Sequence, residues 1–172
     1  MTTPSYKLTY FPIQARAEIS RMIFRYANIE FEDIKFDPQN WKDIKNDPKV
    51  KIDQVPVLEG DDKVVAQSQT IARYLAQKFG YLPTDPDAAL PIEELFVFII
   101  SDISERQYLT SVFKDSEARE NYRTDYFENQ LPKKLGFLEK VLEKNTTGFL
   151  FGDKMTLADF ALVDFAQRVL YD

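Results

Sequence analysis

Two absences restrict which residues could do chemistry in this chain. Its 172 residues include no Cys and no His, so it has no thiolate nucleophile, disulfide, thiolate or imidazole metal site, or His-based triad. Acid–base or nucleophilic chemistry near neutral pH must therefore come from Tyr, Lys or carboxylate side chains, or from a bound cofactor. No metal is expected.

Three groups of residues have the types and spacing of a binding site. Tyr10 ends a β-favouring run, although a Tyr there more often packs on a sheet. Gln67 and Ser68 precede a helical pattern, and free N–H groups at a helix start favour an anion, although Ser is also an ordinary N-cap. Trp41 and Lys45 are four residues apart and share a helix face; packing of the Trp into the core and a solvated Lys are their alternatives.

Composition narrows the class of protein. Apolar residues make up 44% and charged residues 29% of the chain, which is typical of globular domains. The net charge of −6, with scattered Lys and Arg, disfavours nucleic acid as a partner. No run approaches the ~20 apolar residues of a membrane helix, and residues 1–7 have no targeting pattern. We expect a cytoplasmic protein with no membrane partner.

The elements that must position these residues alternate in the first half of the chain. β-Favouring composition and alternation predict strands, and apolar residues at i, i+3, i+4 and i+7 predict helices. In the first helix of the chain the residues with that spacing are Ile19, Met22, Ile23 and Tyr26, with Glu18, Arg21 and Arg25 elsewhere on the helical wheel. The strands are predicted near 6–11, 30–36, 55–59 and 63–66, and the helices at 15–28, from Pro38 to Asn46 and from an N-cap at Ser68 to Gly80. Gly60-Asp61-Asp62 separates the last two strands and indicates a hairpin.

The second half is helical in period. Residues 81–89 contain two prolines in a polar stretch and are predicted to be a linker. A helix is predicted to open at Pro91, with apolar positions through Ile103 facing inward, and a second at 117–144 is predicted to kink at Pro132. Thr156 and Asp159 have the spacing of a capping box at the start of a third. The fold class is therefore α/β followed by all-α.

Several segments together resemble a known family. They are Tyr-Lys-Leu-Thr-Tyr-Phe at 6–11, Arg16-Ala17-Glu18, Gln54-Val55-Pro56-Val57-Leu58-Glu59, Gln67-Ser68, Ile71-Ala72-Arg73-Tyr74-Leu75, Gly152-Asp153 and Thr156-Leu157-Ala158-Asp159. Their order and spacing resemble cytosolic glutathione transferases of the sigma type, which include prostaglandin D synthase-like enzymes.

The resemblance implies an N-terminal thioredoxin-like βαβαββα domain at 1–80 that binds glutathione, a linker at 81–89 and an α-helical bundle domain at 90–172. Members of the family normally continue further, so the helical domain is expected to be incomplete.

The resemblance also implies roles for individual residues. Tyr10 would donate a hydrogen bond to the glutathione sulfur; because that bond is stronger to a thiolate, it would lower a thiol pKa that is about 8.5 in free cysteine. Tyr6 lies too early in the strand to match. Arg16 would lean toward Tyr10 and help stabilise negative charge, its alternative being a salt bridge with Glu18.

Other positions are implied to hold the rest of glutathione. Val55 and Pro56 match a cis-proline element whose backbone pairs with the cysteinyl part, with Gln54 beside it. Gln67-Ser68 would receive the γ-glutamyl carboxylate, and Trp41 and Lys45 would contact the glycyl end. Asp102 would reach the glutathione amine across a homodimer interface, its alternative being an i, i+4 pair with Arg106.

The expected activity is conjugation of the glutathione thiolate to small hydrophobic electrophiles, as in detoxification. A glutathione-dependent prostaglandin isomerase begins with the same thiolate and remains an alternative, as does a non-catalytic crystallin-like or ligand-binding protein. Two departures concern backbone: Gln14-Ala15 stands where the family has Arg-Gly, and Lys51-Ile52-Asp53 lacks the usual Phe-Gly. Because Gly tolerates conformations that other residues do not, we expect any difference in the site to lie there.

Overall fold

A computed structural model describes residues 5–112 and 114–171. The chain divides into two compact units, Met1–Leu82 and Pro83–Asp172. The first contains a four-stranded sheet with helices, and the described part of the second is helical. The predicted fold class, a thioredoxin-like half followed by a helical half, is confirmed.

The first unit follows the predicted order of strands and helices. Its elements are β1 (Lys7–Tyr10), α1 (Glu18–Tyr26), β2 (Glu32–Lys35), α2 (Trp41–Lys45), β3 (Val57–Gly60), β4 (Lys63–Ala66) and α3 (Ser68–Lys78). Short 3-10 helices at Ala15–Ala17 and Pro38–Asn40 lead into α1 and α2.

The sheet has the order β2-β1-β3-β4. β1 pairs parallel with β2 and antiparallel with β3, and β3 pairs antiparallel with β4. Asp61 and Asp62 form the predicted hairpin turn, with φ of 50° and 56°. Two consecutive residues with positive φ are typical of a type I′ turn, whose twist matches that of the flanking strands. Helix α1 connects the parallel pair.

Asp61 ties this turn to the rest of the unit. Its Oδ2 accepts hydrogen bonds from the Lys78 ammonium, the Tyr74 hydroxyl and, at 2.8 Å, the Tyr6 hydroxyl. These donors, Lys78 first, hold the pKa of the Asp61 carboxyl well below its ordinary value. The hairpin is thereby fixed to α3 and to the start of β1.

Helices α1 and α3 pack against each other over the sheet. Their fully buried apolar residues include Ile23, Phe24, Ile71 and Leu75. The apolar face predicted for α1 is partly wrong. Tyr26 is 55% exposed, whereas Glu18 and Arg21, which the helical wheel placed on the polar side, are buried and pair with each other.

The second unit contains five α-helices and two π-helical segments within its described residues. They are α4 (Pro86–Val97), a π-helix (Phe98–Ser104), α5 (Glu105–Val112), α6 (Ser116–Asp125), a π-helix (Tyr126–Gln130), α7 (Leu131–Lys144) and α8 (Leu157–Tyr171). The inward positions predicted for the first of these helices are confirmed: Ile92, Leu95, Phe96, Ile99 and Ile103 are all buried.

Two helix boundaries differ from the prediction, both at prolines. Helix α4 begins at Pro86, inside the segment predicted as a linker, because the Asp85 side chain caps it by accepting from the Ala88 N–H at 2.9 Å. Pro91 therefore lies inside a helix rather than at its start. The predicted helix at 117–144 is two α-helices joined through a π segment, and Pro132 occupies the first turn of the second, where a missing N–H is tolerated.

The predicted capping by Asp159 is confirmed. Its Oδ2 accepts from the Thr156 backbone N–H at 2.8 Å and from the Thr156 hydroxyl at 2.6 Å. Its Oδ1 accepts from the Leu150 N–H at 2.8 Å. The carboxylate therefore starts α8 and fastens the preceding segment to it. Among the described residues, no helix has the length and apolar character needed to cross a bilayer.

Candidate functional site

The candidate site lies at the edge of the sheet where β1 ends. Tyr10 is the last residue of β1, and the pairing of Thr9 with Val57 brings the residues just before β3 alongside it. Those residues are Val55 and Pro56, joined by a cis peptide bond as the resemblance implied. The end of one strand and the entry to its neighbour therefore meet at this edge.

A third strand delivers Gln67 and Ser68 to the same edge. Val57 pairs with Ala66, the last residue of β4, so α3 begins beside the entry to β3. The prediction that Ser68 is the N-cap is wrong: Gln67 holds that position and Ser68 is the first helical residue. The Gln67 side chain does not cap the helix; its Nε2 donates to Gln54 Oε1 at 3.2 Å. The two Gln side chains thus connect the segment before β3 to the start of α3.

Gln67 has an unusual backbone, with φ of 74° and ψ of 110°. Such a conformation costs a non-Gly residue about 1–3 kcal/mol, and residues of this kind cluster at ligand sites. The first N–H groups of a helix carry a partial positive charge that favours an anion. The start of α3 therefore suits the carboxylate that the resemblance assigned to it.

The two tyrosines of the first strand region have different surroundings. Tyr6 and Tyr10 are each 5% exposed, but the Tyr6 hydroxyl donates to Asp61 at the hairpin turn, which is the opposite edge of the sheet. The Tyr10 ring contacts Phe11, with ring centroids 5.5 Å apart. This placement favours Tyr10 over Tyr6 as the residue that faces a ligand at the β1 end.

Arg21 is a residue of this region that sequence reasoning missed. It is 2% exposed, and its Cζ lies 5.7 Å from the centroid of the Tyr10 ring. Its Nη1 pairs with Glu18 at 3.2 Å and its Nε with Asp33 at 3.1 Å. The signal in the sequence was the i, i+3 spacing of Glu18 and Arg21, which indicates a pair that can be buried together.

Arg16 is exposed and lies in the 3-10 helix Ala15–Ala17. Its suggested alternative partner, Glu18, instead pairs with Arg21 and with Arg25, the latter at 2.9 Å. Ala15, just before Arg16, has a φ of 74°. The conformation that favours Gly therefore occurs where the family has Gly, although this chain has Ala.

Trp41 and Lys45 both lie on α2, as predicted, and each has a protein partner. The Trp41 ring stacks on Phe36 at 6.2 Å between centroids and contacts Phe11 at 5.9 Å. Phe11 in turn contacts Tyr10, so the aromatic rings connect α2 to the end of β1. The Lys45 ammonium pairs with Asp53 at 3.1 Å on the surface.

Asp102 lies in the second unit, on the π-helical segment Phe98–Ser104. Its side chain is exposed, and its backbone carbonyl accepts from the Lys134 ammonium. Among the described residues no ion pair joins Asp102 to Arg106, so the alternative proposed for this carboxylate does not form. Residues 5–112 and 114–171 contain no group of three or more acidic side chains that could hold a metal ion.

Comparisons with known proteins agree with this arrangement. The family model for the glutathione S-transferase N-terminal domain matches residues 6–77, and the model for the C-terminal domain matches residues 101–172. A probable glutathione S-transferase 6 of Caenorhabditis elegans is 34% identical over 168 residues, which cover 96% of this chain and 80% of the relative.

Solved structures give the same result. A prostaglandin synthase D of Nilaparvata lugens has a TM-score of 0.85 at 26% identity, over 96% of this chain and 81% of the other. A monomeric glutathione S-transferase of the hookworm Necator americanus has a TM-score of 0.77 at 33% identity, over 95% and 80%. On the family models and these identities together, this chain belongs to the glutathione S-transferase family.

Proposed function

We propose that this protein conjugates the glutathione thiolate to small hydrophobic electrophiles, with Tyr10 as the residue that stabilises the thiolate. The observation that carries the proposal is the meeting of three segments at one sheet edge: the end of β1, the entry to β3 and the start of α3. A tripeptide needs donors and acceptors along its length, and these segments offer the Tyr10 hydroxyl, the backbone groups of Val55 and a helix N-terminus.

In this proposal the Tyr10 hydroxyl donates a hydrogen bond to the glutathione sulfur. Such a bond is stronger when the sulfur is charged, so it shifts the thiol toward thiolate at neutral pH. The shift matters because the thiolate is the nucleophile and a free thiol is mostly protonated at pH 7. The chain has no Cys of its own, so the sulfur has to come from the co-substrate.

The remaining contacts follow the order of the tripeptide. We assign the γ-glutamyl carboxylate to the start of α3 at Gln67 and Ser68, the cysteinyl backbone to Val55 with Pro56 holding its direction, and the glycyl carboxylate to Lys45 and Trp41. Gln54 supports the assignments at Val55 and Gln67, because its side chain accepts a hydrogen bond from the Gln67 side chain. Arg16 is assigned to the charge of the sulfur.

Asp102 is assigned to the glutathione amine of a neighbouring subunit, which requires a homodimer. Its side chain makes no ion pair within the described residues of the chain, which leaves the carboxylate available for an ammonium group. Sedimentation equilibrium with and without glutathione tests the assembly. A monomer that is fully active would remove the role proposed for Asp102. Because the chain belongs to the glutathione S-transferase family, we also propose that the enzyme is cytoplasmic and acts in detoxification.

The conjugation assay uses 1-chloro-2,4-dinitrobenzene as electrophile after purification on glutathione resin. We expect retention and turnover by the wild type, and Tyr10→Phe to lower kcat/KM at pH 6.5 by about ten- to a hundredfold, the change that one to two pKa units of the bound thiol would cause. Tyr6→Phe, which removes the other hydroxyl, is the matched control and should keep wild-type kinetics. Full turnover by Tyr10→Phe would refute the mechanism, and retention without turnover on any electrophile would favour a binding protein.

A further inference from the structure

The segment that follows Tyr10 has few backbone partners of its own. Outside the helices and strands, no backbone-to-backbone hydrogen bond involves Pro12 or Ile13 in the described part of the chain, and Pro12 has no N–H to donate. Yet this segment leads from Tyr10, at the end of β1, to Arg16 in the 3-10 helix. Something other than backbone pairing must hold it.

Arg21 supplies those hydrogen bonds. Its Nη1 donates to the Ile13 carbonyl oxygen at 2.7 Å and its Nη2 to the Phe11 carbonyl oxygen at 3.2 Å. A planar guanidinium offers five donors in a fixed fork, so one side chain reaches both carbonyls while its other donors meet Glu18 and Asp33.

Burial of the charged Arg21 side chain costs free energy, and filling space alone would not explain why a charged residue is found there. Taking a guanidinium out of water carries a penalty that pairing only partly offsets, and apolar side chains of similar volume often stabilise such a site better. Here the charge is balanced by two carboxylates, of which Glu18 also binds Arg25 and Asp33 also binds Lys35 at 3.4 Å. The guanidinium keeps its place beside the Tyr10 ring, within the ~6 Å of a cation–π contact.

We propose that Arg21 is a positioning residue of the glutathione site, which holds the Phe11–Ile13 segment and the Tyr10 ring in place, and whose positive charge beside that ring makes the Tyr10 hydroxyl a stronger hydrogen-bond donor to the thiolate. This rests on the proposed role of Tyr10. Arg21 acts through Tyr10 and the segment after it; it does not itself touch glutathione in this proposal.

The test compares Arg21→Lys and Arg21→Gln with Arg25→Gln as matched control. Arg25 is on the same helix and binds the same carboxylate of Glu18, but its side chain is 57% exposed. The readout is the pH dependence of kcat/KM and the thiolate absorbance of bound glutathione. We expect Arg21→Gln to raise the pKa of the bound thiol by about one unit, which lowers kcat/KM about tenfold at pH 6.5 and much less at pH 9. Arg21→Lys, which keeps the charge, should recover part of the loss.

A purely structural role predicts a different result. In that case the Arg21 variants would melt at lower temperature but keep the wild-type pH profile for each folded molecule, and the proposal would be wrong. If neither Arg21 variant folds, Glu18→Gln decides: it leaves Arg21 in place with less of its charge balanced, so the bound thiol should have a lower pKa than in the wild type. An unchanged pH profile in Glu18→Gln would overturn the proposal.

The outcome can be separated from failure of the proposed function. If the wild type neither binds glutathione nor conjugates it, or if Tyr10→Phe is fully active, the proposed function fails before Arg21 is considered. If both of those results are as expected, the double variant Tyr10→Phe/Arg21→Gln should show a smaller effect of the Arg21 change than the single variant does. Equal effects in both backgrounds would show that Arg21 does not act through Tyr10.

Discussion

Replacing Ala15 with Gly should stabilise the protein. Ala15 has a φ of 74°, where the Cβ of an L-residue crowds the following carbonyl at a cost of about 1–2 kcal/mol. Gly removes that cost but makes the unfolded chain more flexible, which takes back about 0.4–1 kcal/mol. The net gain expected for Ala15→Gly is about 0.5–1 kcal/mol, or about 1–4 °C in melting temperature for a chain of this size.

The measurement is urea unfolding followed by tryptophan fluorescence. The single Trp, Trp41, lies in the same unit as Ala15, so its signal reports the part of the molecule that the change affects. Ala17→Gly is the matched control: the same substitution two residues on, but at a φ of −91° and with the methyl group buried. It should be destabilising.

Opposite signs for the two substitutions would show that backbone conformation decides the effect. If Ala15→Gly lowers the urea midpoint as Ala17→Gly does, the left-handed conformation is not strained and the reasoning is wrong.

Two further predictions concern the hairpin. A Cβ added at Gly60 would lie 2.3 Å from Cδ1 of the Tyr6 ring, so Gly60→Ala should lower the free energy of unfolding by about 1–3 kcal/mol through overpacking. The control Gly136→Ala, at an open position in a helix, should be neutral or stabilising. Urea midpoints followed by circular dichroism test both. Because the pKa of the Asp61 carboxyl is lowered in the folded state, its stabilising effect is fully present above the unfolded value of about 3.9 and is lost progressively as pH falls from there toward the lowered folded value. Melting curves at low salt should therefore separate wild type from Asp61→Asn most at pH 6–7 and least at pH 2–3, and a constant gap, like that expected for Asp62→Asn, would contradict the assignment.

The fold could be predicted from the sequence where local pattern and tertiary packing agree. Residue type and spacing alone predict the hairpin turn at Asp61 and Asp62 and the helix cap formed by Thr156 and Asp159. The structure contains both. The prediction of where α4 begins was wrong because its sequence is ambiguous. Asp85 followed by Pro86 is typical of a turn as well as of a helix N-cap. The structure decides for the helix, because the Asp85 side chain accepts a hydrogen bond from the Ala88 N–H.

The candidate site was less accessible to local reasoning. Nothing in the residues around Tyr10 distinguishes it from any aromatic on a strand, and only the order of the matching segments singled it out. Arg21 was missed because a helical wheel assigns charged residues to solvent. Its burial depends on Asp33, from another element, and on the carbonyls of Phe11 and Ile13, none of which is visible in helical periodicity.

The backbone of the site shows what replaces local preference in this chain. Ala15, Asp53 and Gln67 all have positive φ, and the first two stand where the resemblance places Gly or the end of a Phe-Gly pair. Asp adopts this conformation more readily than Ala because its short side chain can bond locally, so most of the strain falls on Ala15 and Gln67. Each of these positions adjoins a tertiary contact: Arg21 holds the segment before Ala15, Lys45 pairs with Asp53, and Gln54 bonds to Gln67. Strained backbone persists only when surrounding contacts over-determine it. The shape of this sheet edge is therefore maintained by side chains from neighbouring elements, and Gly is not required for it to form.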